Sequence, residues 1–284
     1  MWKEIAKNFH ILVESRDKQE IIRNWKNFNF WVQKSRKDPP YHLDKILKLL
    51  KSRKEKKHLI RILDHGCGSA LTCLYLSSLG YKNILGVDVN KNRKTDQLNK
   101  IYKTIFQEKV DHFFIYDGGN LPFEQNSFDI IYSLQVLEHV GPKWINKYYS
   151  EEARVIKKSG TVYHQVPHIL TPFETHTKTW LIHYLPRKIK ENIYKKLGQP
   201  VEKLKKHLFL RSPFFHKNQL KKYFSNYEDL TLQRLQTKVD FTYYDGPLLS
   251  LRKMLHILVA LPILGKLFGL IIANLVMLET KSSK

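Results

Sequence analysis

Apolar residues recur at helical spacing through the first 58 positions: Ile5, Phe9, Ile11 and Leu12, then Ile21, Ile22, Trp25 and Phe28, then Ile46, Leu49 and Leu50. Such spacing turns one face of each segment to a core and leaves the charged residues outside. "KDPPYH" at 37–42 interrupts the pattern, because two prolines remove backbone donors that a continuing helix needs. From residue 59 the pattern changes to short apolar runs, "LIRILD", "NILGVD", "VDHFFIYD", "FDIIYSL" and "GTVYHQV", separated by helix-length stretches. Runs of this length, rich in Ile, Val, Phe and Tyr, predict parallel strands with helices on both faces, an α/β doubly wound sheet.

The rhythm breaks at residues 167–228, a basic and aromatic insertion with helical patches around Trp180 to Tyr184 and Ile189 to Leu197. Strand pattern returns at 229–236, "DLTLQRLQ", and at 271–279, "IIANLVMLE". The chain thus reads as four segments: a helical extension over 1–58, a core over 59–166, the insertion over 167–228 as acceptor-binding lid, and the last two strands over 229–284. Residues 254–278 carry one Lys and one His, which suggests a membrane span, but Lys266 falls at the middle, where a charge is costly. Residues 247–269 therefore read as an apolar helix that either packs on the sheet as core or, the favoured reading, lies in a bilayer interface with basic segments holding anionic headgroups.

Charge sharpens this picture without choosing a partner. The 284 residues hold 49 Lys+Arg against 26 Asp+Glu, a formal net charge of +23, which attracts phosphates, nucleic acid or an anionic membrane surface. Residues 1–60 hold 16 basic and 7 acidic side chains and residues 178–222 hold 13 and 2, so the excess lies outside the predicted core. The two cysteines, Cys67 and Cys73, fit neither a zinc knuckle nor a disulfide framework. The N-terminal residues mix charge into apolar positions with no secretory pattern, and a reducing, cytoplasmic setting is the expectation, peripheral on the inner face of a membrane.

Ligands of open parallel sheets bind at the carboxyl ends of the strands, and three predicted strands end there in an acid: Asp64, Asp88 and Asp117. Asp88 lies 22 residues after Gly66, a spacing suited to a carboxylate that accepts from both hydroxyls of a ribose. Asp117, in "FIYDGGN", can accept from an exocyclic amine such as that of adenine. Asp64 stands two positions before Gly66 in "ILDHGCGSAL", where its charge would repel a pyrophosphate and attract a cationic amino-acid end. S-adenosylmethionine has that charge pattern; a nicotinamide dinucleotide does not.

These motifs resemble the class I S-adenosylmethionine-dependent methyltransferases, with a type 11-like domain, continuously over residues 59–167. "ILDHGCGSA" is similar to their first motif and "GVDVN" to their ribose-binding turn. "YDGGNLPFEQNSFDIIYSLQVLEHV" is similar to their adenine-side loop and fourth strand, and "ARVIKKSGTVYHQVP" to the helix, turn and fifth strand beyond it. The resemblance implies a Rossmann-like, seven-stranded, mostly parallel sheet whose last strand is antiparallel, with "ANLVMLETK" as that strand. It implies S-adenosylmethionine as cofactor, with Asp64, Gly66, Cys67 and Gly68 at the methionine end and Asp88 and Val89 at the ribose. Asp117 and Gly118 would flank the adenine, and Gln135 would lie beside the methionine end. The usual glycine of the first motif is Ala70 here, for which only a minor change at the helix start is expected.

For the acceptor the resemblance is less specific. Glu138 and His139 come after the fourth strand at the pocket rim, and His168, Glu174, His176 and His183 cluster in the insertion, where the family builds acceptor specificity. His139, His168, Glu174 and His176 are the candidate catalytic groups, since an imidazole near neutral pKa can take a proton. Ubiquinone-pathway O-methyltransferases and small-RNA 2′-O-methyltransferases place a Glu three positions before a Glu-His pair to bind a divalent metal. Gln135 stands there instead, so no metal is expected. The expected reaction is methyl transfer to a hydroxyl of a lipid-linked or membrane-associated small molecule, such as a quinone precursor or a glycolipid. RNA methylation is an alternative favoured by charge, and a non-catalytic, membrane-associated binding protein that keeps the fold is another.

Overall fold

The computed structural model describes residues 1–91, 94–236 and 249–284. The N-terminal pattern folds as helices α1 (Trp2–Val13), α2 (Lys18–Lys34) and α3 (Tyr41–Lys51). Asp17 caps α2 by accepting from Glu20 N at 2.8 Å, while the Glu20 carboxylate reaches back to accept from Arg16 N, just before the cap. Ile5, Phe9 and Leu12 of α1 and Ile21, Phe28 and Val32 of α2 are buried, each set at helical spacing.

The alternation beyond these helices is β1 (Ile62–His65), α4 (Leu71–Ser78), β2 (Ile84–Asp88), α5 (Thr95–Phe106), β3 (Phe113–Ile115), β4 (Phe128–Leu134), α6 (Ile145–Val155) and β5 (Ile156–Val166). A short ribbon of β6 (Phe173–Glu174) and β7 (Thr179–Trp180) comes next, then α7 (Arg187–Lys196), α8 (Val201–His207) and α9 (Pro213–Tyr223). The chain continues through β8 (Asn226–Asp229), α10 (Thr231–Gln236), α11 (Leu249–Ala260), α12 (Leu264–Ala273) and β9 (Leu278–Ser283). The described strands form a seven-stranded sheet in the order β3-β2-β1-β4-β5-β9-β8. β1 pairs parallel with β2 and β4, and β2 with β3, while β9 is antiparallel to both β5 and β8. This is the Rossmann-like sheet with an antiparallel last strand that the sequence implies.

Four expectations are corrected. Residues 229–236 are not a strand: β8 stops at Asp229, whose Oδ1 accepts from Thr231 N at 2.9 Å and starts α10. The strand expected from 271 begins at Leu278, because the apolar run up to Ala273 continues α12. The patch at Trp180 to Tyr184 is half ribbon: Trp180 pairs with Phe173 in β6–β7, and only Ile182–Tyr184 make a single 3-10 turn. The helix expected over 247–269 is two helices, since Pro262 withholds the donor a continuous one would need. Residues 247 and 248 of that expectation lie outside the described residues.

Within the described residues the chain divides into two compact units, one of residues 1–133 and 154–161, the other of 134–153, 162–236 and 249–284. In the first, the N-terminal helices share a core with the early sheet: Gln33 Nε2 donates to Ser78 O at 2.8 Å, and Ser35 Oγ and Tyr75 Oη hydrogen-bond at 2.8 Å. In the second, Gln165 of β5 donates to Glu279 of β9 at 2.9 Å, and Thr231 of α10 donates its hydroxyl to Glu279 O. Among the described residues no helix is long and apolar enough to cross a membrane.

Candidate active site

In the first unit, β1 ends in a loop in which Gly66 (φ 92°) and Gly68 (φ 57°) take left-handed conformations. The N–H groups of Gly66 and Cys67 both donate to Val87 O at 2.9 Å, which draws the loop over the end of β2. Gly68 N donates to Asp88 Oδ2 at 2.9 Å and Asn90 N to Asp88 Oδ1 at 2.8 Å, so this carboxylate is fixed from both sides. Tyr116 N donates to Asp88 O at 3.0 Å, bringing the turn after β3 beside the turn after β2. There Asp117 Oδ1 accepts from Gly119 N at 2.8 Å, and Gly118 lies so close to Val89 that a Cβ would stand 3.4 Å from Val89 Cγ1. Val89 is 55 % exposed, an apolar face offered to a ligand between two acidic turns.

Asp64 is buried beneath this loop rather than standing at its mouth. Its Oδ2 accepts from Tyr132 Oη at 2.9 Å and from Cys73 Sγ at 3.3 Å. Burial pushes its carboxyl up to about 7, the hydrogen bonds from Tyr132 and Cys73 opposing the shift only in part. Sequence reasoning missed Tyr132 and Cys73 in this role, and also His65, whose Nε2 lies 2.8 Å from Tyr116 Oη. Tyr132 sits within an apolar strand run, where nothing local distinguishes a polar tip from a core ring.

In the second unit, Gln135 takes a left-handed conformation (φ 55°) just after β4, and its N–H donates to Gln165 O at 2.8 Å. Glu138 is buried, and neither carboxylate oxygen has a hydrogen-bond partner. Burial raises its pKa to about 7, the charge of His176 opposing the shift only in part. The loop carrying it is clamped from the segment after α8: Phe209 N donates to Glu138 O at 2.6 Å, and Arg211 donates to Leu137 O and Val140 O at 3.0 and 2.6 Å.

His139 Nδ1 donates to His207 O at 2.6 Å, and His176 Nδ1 donates to Glu174 Oε1 at 2.7 Å; each leaves its Nε2 3.9 Å from Glu138 Oε1. Burial alone would raise the Glu174 carboxyl, but hydrogen bonds from His176 and Thr177 outweigh it and hold the group at about 2. The same hydrogen bond raises the pKa of His176, while burial lowers that of His139. Three candidate catalytic residues, His139, Glu174 and His176, thus come together around Glu138. His168 does not join them: its Nδ1 accepts from Leu170 N at 3.2 Å in its own turn, and burial lowers its pKa to about 4. His183 is likewise turned away, its Nε2 3.1 Å from Ile169 O.

Residues 63–164 match the sequence model of the methyltransferase domain family. They form a methyltransferase domain. The 27-O-demethylrifamycin SV methyltransferase of Amycolatopsis mediterranei (strain S699) is 25 % identical over 100 residues, 35 % of this chain and 36 % of that protein. The mitochondrial ubiquinone biosynthesis O-methyltransferase of Homo sapiens is 29 % identical over 104 residues, 36 % of this chain and 28 % of that protein. The chain thus matches these curated relatives over about a third of their length. Among solved structures, an S-adenosylmethionine-dependent methyltransferase from Mesorhizobium loti is similar at 15 % identity and a TM-score of 0.47, covering 84 % of this chain and 96 % of that one.

The cofactor of this domain family is S-adenosylmethionine. Two positions of the methyltransferase domain show how tightly its loop is built. Ala70, in place of the usual glycine, holds φ 61° while fully buried, a conformation that costs a residue bearing a Cβ about 1 kcal/mol; α4 still begins at Leu71. At Gly86, in β2, a Cβ would stand 2.9 Å from Cys67 Cβ and Sγ and 3.0 Å from Phe113 Cδ1. Gly86→Ala must therefore displace the loop. Overpacking of roughly 1–3 kcal/mol is the expected cost, and calorimetry with S-adenosylmethionine should show about tenfold weaker binding; unchanged affinity would mean that the loop adapts freely.

Proposed function

We propose that the protein transfers the methyl group of S-adenosylmethionine to a hydroxyl of a lipid-linked or membrane-associated small molecule, a quinone precursor or a glycolipid. The observation that carries the transferase reading is the meeting of the Asp88–Val89 and Asp117–Gly118 turns at the edge of the glycine loop. In this reading the Asp88 carboxylate accepts from the ribose hydroxyls, Val89 and Gly118 flank the adenine, and Asp117 accepts from its amine. Asp64, Gly66, Cys67 and Gly68 serve the methionine end. The acceptor oxygen attacks the methyl carbon as the carbon–sulfur bond breaks, and that electron pair stays on sulfur as S-adenosylhomocysteine. The acceptor's proton passes to a base, for which Glu138, His139 and His176 are the candidates, with Glu174 orienting His176. Holding the oxygen in line with the sulfonium carbon supplies most of the rate.

Two features support an amphiphilic acceptor. Within the insertion, a cavity of about 250 Å³ combines apolar walls from Ile169, Val201, Leu204 and Leu208 with Lys190 and with Arg187 and Lys205, both paired to Glu191. α11 and α12 then form a hairpin whose outer side chains are exposed, Ile257 by 64 %, Ile263 by 84 % and Leu267 by 66 %. No acid occurs in the sequence from 246 to 278. Helices of 12 and 10 residues reach only about 18 and 15 Å, short of the ~30 Å hydrocarbon core, so the hairpin suits one leaflet of an anionic bilayer.

Flotation with vesicles containing an anionic lipid checks the membrane part. Wild-type protein should float, and Ile263→Glu with Leu267→Glu should leave it in the heavy fraction; equal flotation of both would remove the hairpin from the account. The transferase part is tested by radiolabelled methyl transfer into a fractionated cell extract, with label expected in the lipid pool. Label in RNA would favour the RNA reading, and failure to bind S-adenosylmethionine would leave only a binding protein.

A further inference from the structure

We propose that Glu138, His139 and His176 hold one divalent first-row transition-metal ion. The inference deepens the acceptor-side reading above and depends on it only for what the ion does, since binding of the ion can be measured by itself.

The three donors come from the loop after β4 and from the turn of the β6–β7 ribbon, and their ligand atoms all lie within 4.8 Å of one another. Both imidazoles are prepared for coordination by their other nitrogen. A carbonyl oxygen only accepts, so the 2.6 Å contact with His207 O places the His139 proton on Nδ1 and leaves the lone pair on Nε2. The 2.7 Å contact with the Glu174 carboxylate does the same for His176. Glu174 is in turn held by Thr177 N at 2.6 Å and Thr177 Oγ1 at 2.7 Å, the outer support that fixes a ligating histidine's ring and tautomer. Both Nε2 lone pairs thus stand 3.9 Å from the same Glu138 oxygen.

Glu138 supplies the independent observation. Its side chain is fully buried and both oxygens lack any hydrogen bond. A buried carboxylate left in that state is costly. The imidazoles do not relieve it, since 3.9 Å is beyond hydrogen-bond reach. An ion about 2.0–2.2 Å from each donor would meet all three once the widest pair, up to 4.8 Å apart, draws in by about half an ångström. Its identity is set by the donors: two imidazoles and one carboxylate suit zinc, cobalt, iron or manganese, whereas magnesium prefers oxygen throughout. Three protein ligands also leave coordination positions open, as catalytic sites do. An ion there would polarise an acceptor oxygen and ease loss of its proton.

The sequence expectation of no metal rested on Gln135 standing where a glutamate was wanted. His176 lies 37 residues beyond His139, too far for any local spacing to show it as a ligand.

Tag-free protein stripped by a chelator and dialysed against Zn²⁺, Co²⁺, Mn²⁺ or Mg²⁺ tests the proposal, with bound metal counted by mass spectrometry. One Zn²⁺ or Co²⁺ per chain is expected, held at least tenfold more tightly than Mg²⁺, with Co²⁺ giving the visible spectrum of a mixed nitrogen and oxygen site. Glu174→Gln should weaken binding by roughly 10–100-fold, and Glu138→Gln and His176→Ala by more. S-adenosylmethionine affinity of the same variants serves as the check on folding. Substoichiometric binding in the wild type overturns the proposal, as does wild-type metal affinity in Glu138→Gln. If Glu138→Gln fails to fold, Glu174→Gln decides by the same measure. If the wild type binds the ion but not S-adenosylmethionine, the transferase reading falls and the metal site stands.

Discussion

Asp88→Ala should lower the affinity for S-adenosylmethionine by at least roughly 100-fold while leaving the far-ultraviolet circular dichroism unchanged. Hydrogen bonds to a charged acceptor contribute about 1.5–3 kcal/mol each, so losing those to two ribose hydroxyls removes about 3 kcal/mol or more. The structure adds a second reason. The same carboxylate accepts from Gly68 N and Asn90 N, so its removal also releases the glycine loop from the end of β2. Asp88→Asn keeps one acceptor oxygen and should fall between wild type and Asp88→Ala. Calorimetric titration of the three proteins is the measurement, and wild-type affinity in Asp88→Ala would refute the placement of the ribose.

Asp64→Asn should remove the Asp64 share of a pH dependence of stability that the wild type shows between about pH 4 and pH 7, leaving the share of Glu138, which burial also holds at about 7. The folded protein holds this carboxyl at about 7 because it is buried, whereas an unfolded chain has it near 3.9. Across that window the folded state binds the extra proton, so stability falls as pH rises, and the loss is complete above pH 7. A rise of that size sets a ceiling of about 4 kcal/mol on the effect. The asparagine oxygen can still accept from Tyr132 and Cys73, so the variant keeps the contacts and loses the titration. Urea unfolding at pH 5 and pH 8 should show the variant gaining on the wild type at the higher pH; the same difference at both would exclude Asp64 as the titrating group. If a cationic methionine end draws Asp64 into its ionised form, S-adenosylmethionine binding near pH 6 should release up to about one proton. Calorimetry in two buffers of different ionisation enthalpy measures that release.

The sheet and its acidic edge were legible because their signals are local. The runs ending at Asp64, Asp88 and Asp117 mark strand ends by periodicity, and Gly66, Gly68 and Gly118 mark turns by the positive φ they adopt. The three turns fall at one edge because parallel strands joined by helices all end on the same side. The errors fell where local signals conflict. An apolar run such as residues 271–279 suits a strand or the end of a helix equally, and packing chose helix up to Ala273 and strand from Leu278.

By itself, the sequence determined the doubly wound sheet and the order of its strands' acidic ends, since each depends on residues a few positions apart. The tertiary structure decided what no spacing contains. Tyr132, 68 residues from Asp64, turns an apparently exposed charge into a buried, hydrogen-bonded carboxyl. The return of the chain through the β6–β7 ribbon sets His176 against Glu138, and the clamp from Phe209 and Arg211 holds the loop that buries it. Burial and distant partners shift protonation and create ligand sets, and both arise only when segments far apart in the chain pack together.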